Sequence, residues 1–325
     1  ARNAEGNDVD SKTSNSASII SLPKGGGAIR GLGETFSPDL FTGTGNFTVP
    51  LALPPSRNGF QPQLNLVYST GNGNGPFGLG WALSVPGITR KTSKGIPGYH
   101  DHPDTPNPDV FILSGVEDLV PVAGAPPGAT RYRPRTEGLF ALIDRFHDAN
   151  NDYWRVKSKD GLTSYYGTPA AAGDDPATIA NPAERDRVFA WKLSHTEDPF
   201  GNRIEYAYRR DLGADGPHEW DQLYLQRVRY VDYDDDQGGA HYLVSVTFLY
   251  DDANPPNGSP PALPRPDPFS EYRAGFEIRT RRRCKWIVIE THTDAERVQR
   301  VYELVYLDER SDLPSSMLPP NRASI

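Results

Sequence analysis

Cysteine is almost absent from this chain: Cys284 is the only one among 325 residues. A single cysteine excludes an intrachain disulfide, so the chain does not belong with small secreted proteins held together by disulfides. It fits a protein that stays in a reducing cytosol or is exported already folded. A nucleophilic cysteine would need a positioned base, and the sequence offers none, so we expect Cys284 to be a small, half-buried strand residue.

Long apolar runs and an excess of positive charge are also missing. The mean hydropathy is −0.60, and no apolar run approaches the roughly 20 residues that a membrane-spanning helix needs. The chain carries 34 basic and 42 acidic residues, a net charge of −8. Nucleic-acid binding needs a basic face for the phosphates. We therefore predict a soluble protein with no membrane-spanning segment and no nucleic-acid partner.

Helical periodicity is nearly absent, and the best candidate is one short turn at residues 182–186 with Asn181 as its cap. Turn-forming residues are abundant instead, with 31 Gly and 31 Pro. Between them lie short runs with alternating apolar residues, as in residues 203–208, which predict strands. The sequence thus predicts an all-β fold: many short antiparallel strands and hairpins forming large twisted sheets, with almost no helix.

Four motifs follow one another along the chain. The first is SLPKGGGAIRGLGETFSPDLFTGTGNFTVP at residues 21–50, continued by GPFGLGW at 75–81. The others are ILSGVEDLVP at 112–121, WKLSHTEDPFGNRIEYAY at 191–208 and YRAGFEIRTRRRCKW at 272–286. In this order they resemble the N-terminal domain shared by the Salmonella plasmid virulence protein B and the B component of tripartite insecticidal toxin complexes. The resemblance covers about residues 18–306.

This resemblance implies a domain without chemistry of its own, because in that family the toxic enzyme lies elsewhere. The actin ADP-ribosyltransferase of the plasmid virulence protein needs a Glu-x-Glu pair, and this chain has none. We therefore predict that the chain is not an enzyme, has no catalytic residues and uses no cofactor. It is expected to be a structural scaffold of a bacterial toxin, which helps to build a β-sheet shell around a toxic polypeptide.

The same resemblance implies the partners, the localisation and the domain limits. The partners are the remainder of the parent chain and other toxin-complex subunits. The protein is expected in the bacterial cytoplasm and then outside the cell, although no signal peptide is visible. Residues 1–17 are predicted to be a disordered leader, residues 18–310 the β domain with a possible sub-boundary at 170–187, and residues 311–325 a proline-containing tail that leads into a longer protein.

One turn motif stands out for its backbone chemistry. Asp198, Pro199, Phe200, Gly201 and Asn202 precede a Tyr-x-Tyr strand and resemble the turn-and-strand unit of Rhs (YD) repeats. Pro199 presets φ for a turn, Gly201 can adopt a positive φ, and Asn202 can bond to nearby backbone. We predict a structural turn built by Asp198, Pro199, Gly201 and Asn202.

An acidic segment is the best candidate for a metal site. Asp232, Asp234 and Asp236 have the spacing of a calcium loop. Such a loop needs Gly at its sixth position and Glu at its twelfth, where this chain has Gln237 and Leu243. An acidic hairpin loop is favoured over a weak ion site, and no metal is predicted.

Two further segments were weighed for ligand binding. His100 and His102 could share one side of an extended chain and bind a metal, but no third ligand is near, which favours a solvated loop. Residues 73–78 fit the Gly-x-Gly-x-x-Gly pattern of dinucleotide sites. That site requires a helix after the glycines, and a strand pattern follows here.

Arg279, Lys285 and residues 281–283 form a basic cluster inside a strand-like pattern. A solvated or salt-bridged strand edge is favoured over an anion site. The late strands 275–283 and 297–306 are the expected open edges of the sheet.

A different class of function remains open. Trp154, Trp220 and Tyr224, if exposed, could stack on sugars, and the chain would then be a glycan- or receptor-binding β module. Packing of these rings in the core is the competing interpretation.

Overall fold

The computed structural model describes residues 35–39, 44–114, 117–135, 141–234, 240–254, 256, 264–312 and 314. Within these residues the all-β prediction is confirmed: there is no α-helix, and two 3₁₀ turns lie at Arg57–Gly59 and Leu307–Glu309. The predicted leader and all of the tail beyond residue 314 fall outside the description. The strands, in chain order, are β1 (Thr35–Asp39), β2 (Thr44–Pro50), β3 (Asn65–Ser69), β4 (Asn74–Gly75), β5 (Gly78–Leu79), β6 (Trp81–Leu83), β7 (Gly87–Arg90), β8 (Phe111–Leu113), β9 (Glu117–Val122), β10 (Ala129–Pro134), β11 (Ala141–His147), β12 (Asp152–Ser158), β13 (Thr163–Tyr166), β14 (Thr178–Ala180), β15 (Val188–Glu197), β16 (Arg203–Arg210), β17 (Gly213–Asp215), β18 (His218–Trp220), β19 (Leu223–Asp234), β20 (Ala240–Tyr250), β21 (Phe269–Glu271), β22 (Ile278–Thr280), β23 (Cys284–His292) and β24 (Glu296–Glu303).

One large antiparallel sheet dominates the architecture. Its order is β13-β12-β11-β10-β9-β8-β7-β15-β16-β19-β20-β23-β24, with β14 added on β15. A second pairing joins β13 to β15, so the eight strands β7–β13 and β15 close into a barrel and the later strands extend from it. A small sheet, β1-β2-β3-β6, and the hairpins β4–β5, β17–β18 and β21–β22 complete the fold.

The barrel is filled by side chains that alternate along its strands. On β12, Asp152, Trp154 and Val156 point inward and are buried. Trp154 meets Phe111 edge-on at a centroid distance of 4.9 Å, and Trp191 meets Phe111 at 5.7 Å. Such edge-to-face contacts suit aromatic rings, whose faces are negative and edges positive. The barrel interior is therefore a packed aromatic core.

The strands that follow the barrel are covered by the small N-terminal sheet and its connections. Phe77 packs edge-on against Phe248 at 6.3 Å. The Ala52 N–H donates to the Tyr302 hydroxyl at 2.8 Å, and the Tyr230 hydroxyl donates to the Pro54 carbonyl oxygen at 2.7 Å. These contacts join the beginning of the described chain to its end. The first six residues of β23 are buried.

Two predictions of local structure are wrong. The strand expected at 275–283 is limited to Ile278–Thr280, because the N–H groups of Arg281 and Arg282 donate to the Tyr224 hydroxyl instead of a neighbouring strand. The helical turn expected at 182–186 is a non-helical turn: the Asn181 side chain accepts the Ala183 N–H, and the chain then enters β15 at Val188. The segment 170–187 contains β14, which belongs to the main sheet, and its sub-boundary stays a prediction.

Candidate functional site

The edge strand β24 is the candidate functional site of this fold. One end of the main sheet is closed by the pairing of β13 with β15, whereas the other end stops at β24, which pairs only with β23 among the described strands. An edge strand presents a row of unpaired N–H and C=O groups that can accept a further strand. The prediction that residues 297–306 form an open edge agrees with this position.

The side chains of β24 suit contact with another polypeptide. All of them except Tyr302 are exposed, whereas the first six residues of its neighbour β23 are buried. Val298 is 58% exposed and Val301 is 42% exposed. The strand has no Pro or Lys, and its charged residues include two acidic and two basic side chains, which carry no net charge along the edge. It therefore offers free backbone groups and apolar side chains together.

The chain after β24 is anchored to the start of β23 by a buried ion cluster. Arg283 is fully buried and bonds to Asp308 at 2.8 Å and to Glu309 at 2.6 Å. Lys285 bonds to the same Glu309 carboxylate. Burial alone would lower the pKa of Arg283, but the two carboxylates outweigh burial and raise it. The 3₁₀ turn that carries both acids is thereby fixed behind the edge strand.

The basic run was expected to be a solvated or salt-bridged strand edge, and its members are indeed salt-bridged. Arg281 bonds to Asp211 at 2.7 Å, and Arg282 bonds to Asp252 at 2.5 Å. Arg279 bonds to buried Glu277 at 2.7 Å. The run therefore links several loops and strands through internal ion pairs, and none of these arginines lies on the open edge of the main sheet.

Cys284 was expected to be half buried and is fully buried at the first position of β23. Burial raises the pKa of its thiol well above the usual range, because the charged thiolate is disfavoured away from water. Its Sγ lies 3.6 Å from the carbonyl oxygen of Trp286. The thiol is therefore neutral and shielded, which suits packing.

The acidic metal candidates lie at the end of a strand. Asp232 is opposite Tyr242, and Asp234 is opposite Ala240, both on β19, while Asp236 lies outside the described residues. Among the residues that the structure describes, no group of three or more His, Cys, Asp or Glu is placed to hold a metal. Whether this loop binds an ion stays a prediction.

The Gly-x-Gly-x-x-Gly segment at 73–78 lies in the hairpin β4–β5 and is followed by strand β6. Its Asn74 instead bonds to Asp267 at 2.8 Å and to the buried guanidinium of Arg265 at 2.6 Å. The segment thus connects two distant parts of the chain.

The loop that carries His100 and His102 is more than a solvated connection. Both histidines are exposed, as expected. Asp101 between them turns inward, and its carboxylate bonds to Arg90 at 2.5 Å and to Arg145 at 3.1 Å. Both arginines are buried. The Asp101 carboxylate therefore ties this loop to two strands at one end of the barrel.

Further acids and rings complete this barrel-end cluster. Asp109 bonds to Arg90 at 2.8 Å, and Asp152 bonds to Arg145 at 2.9 Å. The Arg145 guanidinium lies 4.9 Å from the ring centres of Phe111 and Trp191. Such contacts compensate a buried cation.

The cluster also sets the charge state of Asp101. Burial would raise the pKa of Asp101, but Arg145 and Arg90 outweigh burial and hold it far below its ordinary value. Sequence patterns did not single out this cluster, because its five members are dispersed over 60 residues. The sequence signal was an arginine at an inward position of each of two strands, Arg90 on β7 and Arg145 on β11.

The predicted structural turn has a complete set of hydrogen bonds. The Asp198 carboxylate accepts the N–H groups of Phe200 and Asn202, each at 2.9 Å, and the Asn202 side-chain amide at 2.7 Å. Gly201 has a φ of 84° with open space around it. Pro199 packs close to Gly161 in the neighbouring turn.

The three rings considered for sugar binding are buried. Trp154 and Tyr224 are fully buried and Trp220 is 5% exposed. Tyr224 accepts two backbone N–H groups, and Trp220 lies beneath Arg279 at 4.3 Å. None of them offers a face to a sugar, so the glycan-binding alternative loses the residues on which it depended.

A barrel-extended antiparallel sheet with an open edge makes this chain an all-β module, and the proteins to which it is similar include a Salmonella virulence-plasmid protein and toxin-complex chains. The family model described as Salmonella virulence plasmid 65kDa B protein matches residues 40–292. The chain belongs to this SpvB family. It is 31% identical over 311 residues to the mono(ADP-ribosyl)transferase SpvB of Salmonella choleraesuis (strain SC-B67), covering 84% of this chain and 50% of that protein. The Salmonella dublin relative of the same name is 31% identical over 310 residues.

Solved structures agree with this assignment. The N-terminal domain of the effector protein SpvB from Salmonella typhimurium strain LT2 matches with a TM-score of 0.66 and 27% identity, over 79% of this chain and 93% of that one. The TcdB2–TccC3 crystal structure matches with a TM-score of 0.71 and 30% identity, over 88% of this chain and 16% of that one. The Photorhabdus luminescens Tc holotoxin pore matches with a TM-score of 0.68 and 30% identity, over 88% of this chain and 15% of that one.

The relatives correct the prediction that the protein is not an enzyme, because they are named as mono(ADP-ribosyl)transferases. That prediction rested on the absence of a Glu-x-Glu pair from these 325 residues. The chain spans about half the length of the curated relatives it matches, so such motifs cannot report on the rest of a longer protein. In the described part of the chain, no helix has the length and apolarity to cross a bilayer.

Proposed function

We propose that this chain is a wall module of a bacterial toxin, in which β24 pairs with a strand outside residues 1–325 and continues the sheet. The wall would form part of a β-sheet shell that encloses a toxic polypeptide. The open edge of the main sheet is the observation that carries this proposal. Matches to toxin-complex chains and to an effector N-terminal domain support it, and they favour secretion after synthesis in the bacterial cytoplasm.

The physical argument concerns what β24 lacks on its own. A strand that is exposed on both faces and paired on one side contributes little burial to the isolated chain. A neighbouring strand would satisfy its free backbone groups and cover Val298 and Val301. The buried cluster of Arg283 with Asp308 and Glu309 holds the edge in a fixed position for such pairing.

Substitution of the edge valines tests this proposal. Val298→Lys with Val301→Lys should leave the melting temperature of the 325-residue chain unchanged, because both side chains are exposed. In the full-length gene product the same pair should lower the melting temperature, because two lysines would be buried at a strand interface. Val305→Lys, at an exposed valine beyond β24, is the matched control. An unchanged full-length melting temperature for the double variant would contradict the proposal.

A second candidate function follows from the name of the relatives: mono(ADP-ribosyl)transferase activity of the full-length protein. The test is transfer of labelled ADP-ribose from NAD to protein acceptors by the full-length gene product. Absence of labelled acceptor above a no-protein control would contradict it. The outcome is independent of the valine experiment, which measures stability alone.

A further inference from the structure

A row of arginines lies on the outer face of the barrel, two of them on β10 and the third at the residue that follows it. Arg131, Arg133 and Arg135 alternate with Tyr132 and Pro134, which are buried. Because successive side chains of a strand point to opposite faces, the three arginines share the outer face.

The neighbouring strands add further cations to this face. Arg131 is opposite Asp144 on β11, and Asp144 is opposite Arg155 on β12. Asp144 bonds to Arg131 at 2.7 Å and to Arg155 at 3.2 Å, so one carboxylate serves two guanidinium groups. Lys157 lies two residues further along β12 and is exposed. The face therefore remains strongly cationic in a chain whose net charge is −8.

A groove runs beside the arginine row. Two adjoining cavities of about 190 and 290 Å³ share Val120, Pro121 and Arg135 in their lining. Lys94 lines the first cavity and is exposed. In the described part of the chain, the side chains of Lys94 and Arg135 have no carboxylate partner, whereas Lys91 in the same cavity is paired with Asp118 at 2.5 Å. The first cavity is also lined by Asp101, Asp109 and Asp118, which are paired with Arg90 and Lys91. The groove thus combines apolar surface with paired carboxylates and with two cations, Lys94 and Arg135, that have no carboxylate partner among the described residues.

We propose that this groove binds an extended acidic peptide segment of a partner protein. Alternate residues of a strand are about 6.7 Å apart, so an extended peptide with acidic residues at every second position presents carboxylates at the spacing of the arginine row. Val120 and Val122 offer apolar surface to the aliphatic parts of the peptide side chains. Charge complementarity with Lys94 in the first cavity and with Arg135, which both cavities share, holds the segment in the groove.

A nucleic acid fits this face less well than a peptide. Binding of single strands relies on aromatic rings whose faces stack on bases. On this face Phe146 and Tyr153 stack on each other at 4.9 Å with an interplanar angle of 9°, and Tyr165 stacks on His195 at 4.2 Å. The Arg155 guanidinium lies 4.9 Å from the ring centre of Phe146. Their faces are therefore already occupied within the protein.

Binding of labelled peptides to the 325-residue chain tests the proposal by fluorescence anisotropy. The probe is a decapeptide of alternating Glu and Thr. The first comparison peptide has five Glu followed by five Thr, and the second has alternating Gln and Thr. We expect the alternating acidic peptide to bind tightest, the neutral one not to bind, and affinity to fall with added salt.

Variants locate the site on the protein. Lys94→Gln with Arg135→Gln should weaken binding of the alternating acidic peptide about fivefold, since each exposed ion pair contributes roughly 0.2–1 kcal/mol. Arg57→Gln is the matched control, because Arg57 is also exposed and lies in the 3₁₀ turn between β2 and β3. All variants should keep the parent melting temperature.

Three results would overturn the proposal. The first is no binding of the alternating peptide at low salt. The second is equal binding of the clustered peptide or of single-stranded DNA, which would show unspecific attraction of polyanions. The third is an equal loss of affinity in Arg57→Gln and in the double variant.

Discussion

Asp101 ties its loop to two strands at one end of the barrel, and its removal should destabilise the protein measurably. Its carboxylate contacts two buried arginines, Arg90 at 2.5 Å and Arg145 at 3.1 Å. Deleting one partner of a buried ion pair costs about 3–5 kcal/mol, because the remaining charge stays buried without compensation. Here Asp109 and Asp152 still neutralise the arginines, and Asn is of similar size to Asp. We therefore expect Asp101→Asn to lower the free energy of unfolding by about 2–3 kcal/mol.

Urea unfolding followed by tryptophan fluorescence is a suitable assay, because Trp154 and Trp191 both lie against Arg145 in the barrel. Asp104→Asn is the matched control. Asp104 belongs to the same loop, but its side chain is 90% exposed. Its carboxylate lies 3.7 Å from the ring of His102, which is also exposed. This control should change the free energy of unfolding by less than about 0.5 kcal/mol.

The pH dependence gives a second check on the same reasoning. The folded pKa of Asp101 lies below its ordinary value of 3.8. A depressed pKa means that the ionised carboxylate stabilises the folded state above the unfolded pKa, and that this stabilisation is lost as pH falls through the folded pKa. The difference between the parent and Asp101→Asn should be constant from about pH 5 to 8 and shrink below about pH 4. Equal stabilities of Asp101→Asn and Asp104→Asn at pH 7 would refute the argument.

Three further predictions address other parts of the fold. Gly201→Val should destabilise the protein by about 1–3 kcal/mol, since Gly201 has a φ of 84° in open space, whereas Gly73→Val, without a positive φ, should cost less in the same urea assay. Arg283→Met should lower the free energy of unfolding by about 2–4 kcal/mol, because Asp308 and Glu309 lose a buried partner. The control Arg297→Met, at an exposed arginine, should have little effect, and equal effects of the two substitutions would contradict the buried cluster. Cys284 should not react with a thiol reagent at pH 8 until the protein is unfolded, because its thiol is buried and its pKa raised; rapid reaction of the folded protein would show that β23 is accessible.

Local patterns carried much of the fold prediction. The alternation in β16 placed Ile204 and Tyr206 on one face, and both are buried. The turn chemistry of Asp198, Gly201 and Asn202 also depends on neighbouring residues alone. Such features are readable because strand periodicity and turn conformation follow from the nearest few side chains.

Features that depend on distant residues could not be read in this way. Closure of the barrel pairs Tyr165 with His195, two positions 30 residues apart, and no local pattern specifies that pairing. Arg283 looked like part of an exposed basic run, but its burial is determined by Asp308, which is 25 residues away. A buried charge is tolerated only if an opposite charge lies beside it in the fold, and the sequence does not show which distant residue will supply that charge.

The basic row on β10 is a different case, because its signal was local. Arginines at 131, 133 and 135 alternate along β10 and the residue after it, which places them on one face. The net charge of −8 directed attention away from such a local excess. A count of charge by strand face would have found the row.

The central claim is that β24 becomes an internal strand in the intact protein, and amide hydrogen exchange tests it most directly. Exchange of the Glu296–Glu303 amides would be measured by mass spectrometry in the 325-residue chain and in the full-length gene product. Cys284–His292 serves as the internal reference, because β23 is paired on both sides and buried over its first six residues. We predict that the β24 amides facing away from β23 exchange rapidly in the isolated chain and become protected in the full-length protein, so that the exchange of the whole strand slows, with β23 protected in both. Equally rapid exchange of β24 in both proteins would contradict this claim.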